Sequence, residues 1–105
     1  MRLTRSSTTV DYHTYNSPNW FTNATFMFDE YPRNGTKYFV GEYAVTSTND
    51  TNNLGTIETG RLEYPTLQGA AAEAAFMTGN ERNSDIVFAS ACEYFTPPIS
   101  LRRVR

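Results

Sequence analysis

The chain has 105 residues and a mass of 11.9 kDa, room for one small domain. Hydrophobic residues make up 39%, charged residues 19% and aromatic residues 14%, which excludes a disordered chain and supplies a large apolar payload. A net charge of −2 gives no support to a broad nucleic-acid footprint, the single cysteine excludes an internal disulfide framework or a thiolate zinc site, and the single histidine argues against a protein-built metal centre.

The N-terminal stretch through Val10 is polar, carries Arg2 and Arg5, and lacks the apolar region of a signal peptide. Residues 1–10 read as a divergent N-terminal segment. Val10 to Tyr15 is rich in β-formers and predicts a strand. Ser17 followed by Pro18 predicts a helix start, because the hydroxyl caps the first turn and the ring suits the first helical position. Trp20, Phe21, Ala24, Met27 and Phe28 then recur at helical spacing and predict one continuous apolar face. Pro32 and Asn34-Gly35 supply turn chemistry.

Tyr38 to Val45 is nearly continuous apolar sequence, the pattern of a parallel strand covered on both faces. The Thr/Ser/Asn/Asp-rich run from Thr46 to Gly55 predicts a loop. An Ala-rich helix is expected from Pro65 to Thr78. One side of it would carry Leu67, Ala70, Ala71, Ala74 and Met77 or Thr78, and Gly79 would follow its cap. Ile86 to Ala91 predicts a third strand, and residues 92–105 read as a divergent tail made basic by Arg102, Arg103 and Arg105. No run approaches the roughly 20 apolar residues of a membrane span. Three sequons, at Asn23, Asn34 and Asn49, hint at a secreted parent.

Strand, helix, strand, helix, strand implies right-handed crossovers and a parallel α/β sheet over residues 11–91. Loops that follow strands lie on the functional side of such an array, which places Tyr15, Glu42 to Thr46 and Glu93 there. Glu42 is the residue to explain, since an unpaired carboxylate inside a parallel strand is costly to bury. It reads as an ion pair or a strand end emerging into water, or else as a catalytic carboxylate at the C-terminal end of a barrel strand.

Three separated motifs bear on that choice: Asp11-Tyr12-His13-Thr14-Tyr15, Phe39 to Thr46, and Glu73 to Asp85. In order and spacing they resemble the late barrel strands of the fungal and plant type α-L-arabinofuranosidases, glycoside hydrolase family 51. The resemblance covers about Asp11 to Ser90. It implies a partial (β/α)8 TIM barrel of about three parallel strands and two helices, around the family's sixth to eighth strands. It implies a retaining glycosidase that needs no cofactor and acts on terminal α-L-arabinofuranosyl residues of arabinose-containing polysaccharides or oligosaccharides. Glu42 matches the family's nucleophile. His13 and Tyr15 match its His-x-Tyr pair, the histidine lining the sugar subsite and the tyrosine hydroxyl serving the nucleophile. From the residues alone, His13 reads equally as a core histidine and Tyr15 as a ring packed on Trp20.

A complete barrel takes about 250 residues, and the family's general acid/base lies on a fourth strand with no counterpart here. Asn80-Glu81 mimics its motif, but Glu81 follows a helix and precedes a strand. That puts it at the wrong end of the sheet, where Glu81, Arg82 and Asp85 are expected in surface charge pairs. After Ser90 only Phe95 fits the family pattern. The resemblance thus implies a truncated piece, inactive alone. Two alternatives stay open: a small sugar- or partner-binding module using Tyr15, Trp20 and Tyr43, or a gene fragment without function.

Overall fold

A computed structural model of the chain describes residues 8–93. The basic tail with Arg102, Arg103 and Arg105, Phe95, and the N-terminal segment through residue 7 lie outside the described residues. Three strands, β1 (Thr9–Asn16), β2 (Lys37–Val45) and β3 (Val87–Cys92), form one parallel sheet in the order β1-β2-β3. Two α-helices, α1 (Pro18–Asn23) and α2 (Leu67–Arg82), make the crossovers. The apolar β2 sequence occupies the central position, where neighbours on both sides take up its backbone groups.

The start of α1 follows its sequence signals. Ser17 Oγ accepts a hydrogen bond from the Trp20 amide at 3.2 Å, with Pro18 at the first helical position. The expected continuous helix through Phe28 does not form. After Asn23 the chain tightens into a 3-10 helix from Ala24 to Glu30. Thr22 Oγ1 donates to the Pro18 carbonyl at 3.0 Å and Thr25 Oγ1 to the Thr22 carbonyl at 2.8 Å. Such back-bonding competes with the α-helical ladder. Phe21 and Phe28 are still buried, with Trp20, Ala24 and Met27 packed around them.

The second helix departs further from expectation. It begins at Leu67, capped by Thr66 Oγ1 accepting from the Gly69 amide at 3.0 Å, and it runs through Gly79 to Arg82. Its buried residues are Gly69, Ala72, Phe76, Gly79 and Asn80, whereas Leu67 is 88% exposed and Ala70, Ala71, Ala74, Met77 and Thr78 also miss the buried face. The physical reason is close packing. Small residues at 69, 72 and 79 let the helix approach its neighbours, so the single aromatic Phe76 fills the gap that several alanines could not. Asn83 closes the helix. Its side-chain nitrogen donates to the Gly79 carbonyl at 2.8 Å and to Asp29 Oδ1 at 2.6 Å, and its oxygen accepts from Arg33 at 2.6 Å.

Gly79 therefore does not end the helix; it permits a contact. A β-carbon there would run into the Thr25 carbonyl oxygen. Alanine is ordinarily favoured over glycine inside a helix by roughly 0.5–1 kcal/mol. Here the sign should reverse: Gly79→Ala is expected to destabilise the chain by about 1–3 kcal/mol, read as a lowered midpoint of chemical unfolding.

One face of the sheet packs on the helices. Phe76 lies at the middle of that core, its ring centroid 5.2 Å from both Phe21 and Tyr43 and 6.4 Å from Phe28. The opposite face carries a stacked Phe39–Phe88 pair, with Phe88 58% exposed.

Candidate active site

The exposed face of the sheet owes its side chains to the pleat of the strands. On β1, Tyr12 packs edge-on against Phe28 in the core, so Asp11, His13 and Tyr15 project to the other face. On β2, Tyr38 contacts Phe28 and Tyr31, and Val40 is fully buried. Strict alternation would send Glu42 the same way, into the apolar core. It does not go there, because the register shifts. Asp11 pairs with Phe39, but His13 pairs with Glu42, so β2 inserts one extra residue at Gly41-Glu42. Past this bulge the phase inverts, and Tyr43 and Val45 face the core. A bulge re-aims side chains in this way beside functional sites.

Gly41 makes the bulge fit. A β-carbon on it would lie 2.9 Å from His13 Nε2 and against Asp11 Oδ1. Gly41→Ala is expected to cost about 1–3 kcal/mol of stability and to displace the His13 imidazole. The chain has one histidine, so its ring resonances report the displacement directly; unchanged resonances would refute this packing.

The bulge gathers Glu42, His13 and Tyr15. The Tyr15 hydroxyl donates to Glu42 Oε2. His13 Nδ1 lies 3.5 Å from that same oxygen, and His13 Nε2 lies 3.0 Å from Asp11 Oδ1. The Tyr15 hydroxyl also reaches Glu93 at the end of β3. Glu42 and His13 are about half exposed, with side-chain exposures of 41% and 45%. Thus His13 is not a core histidine, and the Tyr15 hydroxyl is engaged with carboxylates. The hydrogen bond from Tyr15 holds the Glu42 carboxyl below the usual glutamate range, and His13 adds to the effect. Burial pushes the Tyr15 phenol above the usual tyrosine range, and the two carboxylates push it further. The outcome is an ionised carboxylate held by a neutral phenol, the state a carboxylate nucleophile needs.

Glu81 sits in the last turn of α2, at the end of the sheet where β3 begins, away from the C-terminal ends of β1 and β2. Arg82 there pairs with Asp29 at 3.1 Å, and Asp85 pairs with Arg33 at 3.0 Å. Glu81 makes no ion pair among the described residues. Of the candidate sugar-stacking aromatics, Tyr43 is buried and Trp20 packs on Phe21 and Phe76. Sequence reasoning assigned no role to Asp11 or Glu93. Asp11 could have been found by strand alternation, two residues before His13. Glu93 was placed on the functional side, but nothing local showed that it would meet Tyr15 across two strands.

No protein-family model matches the chain. Over 78 residues it is 44% identical to an extracellular exo-α-L-arabinofuranosidase of Streptomyces chartreusis, covering 74% of this chain and 7% of that protein. It is 40% identical over 78 residues to the probable α-L-arabinofuranosidase A of Aspergillus terreus, covering 74% of this chain and 10% of the relative. An arabinose-bound α-L-arabinofuranosidase of glycoside hydrolase family 51 superimposes with a TM-score of 0.77 at 55% identity, covering 80% of this chain and 13% of that structure. The chain therefore spans about a tenth or less of the curated relatives it matches.

Proposed function

We propose, for a chain that belongs to the glycoside hydrolase family 51 α-L-arabinofuranosidases, that its three strands are the part of a catalytic barrel carrying the nucleophile of arabinofuranoside hydrolysis. Glu42 is that nucleophile, and His13 and Tyr15 line the sugar site. The observation that carries this reading is the bulge at Gly41-Glu42, which turns a carboxylate out of an apolar strand and delivers it to the Tyr15 hydroxyl.

In a retaining mechanism Glu42 attacks the anomeric carbon, the aglycone leaves with a proton from a general acid, and water then cleaves the glycosyl ester. The acid must stand about 5–5.5 Å from the nucleophile, and in this reading it comes from another strand of the barrel. The 105-residue chain by itself is accordingly not expected to turn over. The substrates are terminal α-L-arabinofuranosyl residues of hemicellulose, pectin or smaller arabinosides. The parent acts outside the cell, a reading supported by the Streptomyces relative's name and by exposed sequon asparagines at Asn23 and Asn34.

The test is a chimaera in which residues 9–92 replace their counterparts in the Streptomyces chartreusis enzyme. Hydrolysis of an aryl α-L-arabinofuranoside by the chimaera, lost on Glu42→Gln, supports the reading. A folded chimaera whose turnover is indifferent to Glu42 overturns it.

A further inference from the structure

The Tyr15 hydroxyl has one proton and two carboxylate neighbours, Glu42 on β2 and Glu93 just past β3. A phenol can donate to only one acceptor at a time. We propose that Glu93 is a positioning residue that competes with Glu42 for the phenolic proton of Tyr15, and so governs how firmly Tyr15 holds Glu42. The inference rests on this three-strand geometry and not on the chemical role of Glu42.

The competition is unequal. Glu42 Oε2 has a second neighbour in His13 Nδ1 at 3.5 Å, itself steadied by Asp11 at 3.0 Å from the other ring nitrogen. The neighbours of Glu93 include Cys92 and Glu73, on the wall of a small cavity between β3 and α2. Glu73 is already committed: one oxygen accepts from the Val45 amide at 2.7 Å and the other from the Cys92 thiol at 3.4 Å. From β1, then, His13, Asp11 and Tyr15 act on Glu42. From β3, Glu93 reaches both the Tyr15 hydroxyl and the Glu42 carboxyl; Cys92 and Glu73 stand behind it toward α2, and Tyr43 points into the core.

The strand ends hold both carboxylates beside one oxygen. The backbone amide of Glu93 donates to the Tyr43 carbonyl at 3.0 Å, continuing the β2–β3 ladder past Cys92. The carboxylate is thus anchored at its root, on the element next to the bulge. Cys92 turns to the α2 side, where its thiol meets Glu73, and the next residue turns to the Tyr15 side.

The experiment is a carboxyl- and phenol-carbon NMR titration of the 105-residue chain carrying labelled glutamate and tyrosine. Four forms are compared: parent, Glu93→Gln, Tyr15→Phe and the double variant. In Glu93→Gln the competing acceptor becomes a weaker, neutral amide, so the phenolic hydrogen bond shifts toward Glu42 and a like charge is removed. The Glu42 midpoint should then move to lower pH, and the Tyr15 phenol should ionise at lower pH than in the parent. In Tyr15→Phe the Glu42 midpoint should rise, and adding Glu93→Gln should move it far less than it does when the hydroxyl is present. Glu30, Glu58, Glu63 and Glu81, which lie away from these strand ends, serve as internal references in every form. The proposal is overturned if Glu93→Gln moves neither midpoint beyond the scatter of those references. It is also overturned if the Glu42 shift is equal with and without the hydroxyl, since Glu93 then acts on Glu42 directly and not through Tyr15. Circular dichroism of each form shows that it is folded, and Glu93→Asp, which keeps the charge and shortens the reach, should behave as an intermediate case.

Discussion

Replacing Glu42 by glutamine in the barrel chimaera is expected to lower turnover of an aryl α-L-arabinofuranoside by about 10³-fold or more, about 4 kcal/mol of transition-state stabilisation. The amide matches the carboxylate in size and its carbonyl can still accept from Tyr15, so the fold should survive. What disappears is the anion that forms the glycosyl ester, a step for which no neighbour substitutes. Glu42→Gly opens the same space, and added azide should restore part of the rate by attacking from the vacated face. The product is the inverted arabinosyl azide, with the aglycone departing on the proton of the general acid. Glu81→Gln is the control. Glu81 belongs to the last turn of α2, among the charges of Asp29 and Arg82, and its loss should leave turnover near the parental rate. Turnover within tenfold of parental for Glu42→Gln, together with loss in Glu81→Gln, would show that the wrong carboxylate was chosen.

Phe76→Ala should produce the largest loss of stability in the chain, about 3–5 kcal/mol. The ring meets Phe21 and Tyr43 at 5.2 Å, Trp20 at 6.1 Å and Phe28 at 6.4 Å, and it is 1% exposed. Truncation removes the aromatic that joins helix α2 to both the sheet and α1, and it leaves a cavity whose rigid aromatic walls cannot collapse into it. Against a total of roughly 5–15 kcal/mol for a domain, this could unfold the chain at ordinary temperature. Leu67→Ala is the matching control. Leu67 is a large hydrophobic residue on the same helix but 88% exposed, so its truncation should stay within about 0.5 kcal/mol of neutral. Thermal unfolding of the two variants checks both values. Equal losses would mean that the helix is turned about its axis relative to the packing described.

By itself, the sequence determined the order of the strands and α-helices, but not the 3-10 helix from Ala24 to Glu30. Ser17-Pro18, the apolar run of β2 and the Thr/Asn-rich loop are local signals, written in residues that act on their own backbone or within one turn of it. The sequence also singled out Glu42, because a carboxylate in such a run contradicts the composition around it, and by resemblance it joined His13 and Tyr15 to the same site. The inner face of α2 was not legible, because an alanine-rich helix offers almost the same apolar stripe in several directions. Only the positions of Phe21, Tyr43 and the Thr25 carbonyl chose the side bearing Phe76 and Gly79. The bulge was not legible either. Its one local trace is Gly41, and a glycine in a strand has several explanations. Whether β2 carries an extra residue depends on how many residues β1 advances beside it, and that count exists only once the two strands are paired. The same holds for Glu93, which lies 78 residues from Tyr15 in the chain and meets it only because β1 and β3 flank β2. Register and adjacency are relations between segments, so tertiary structure alone could decide which way Glu42 points and which carboxylates share its tyrosine.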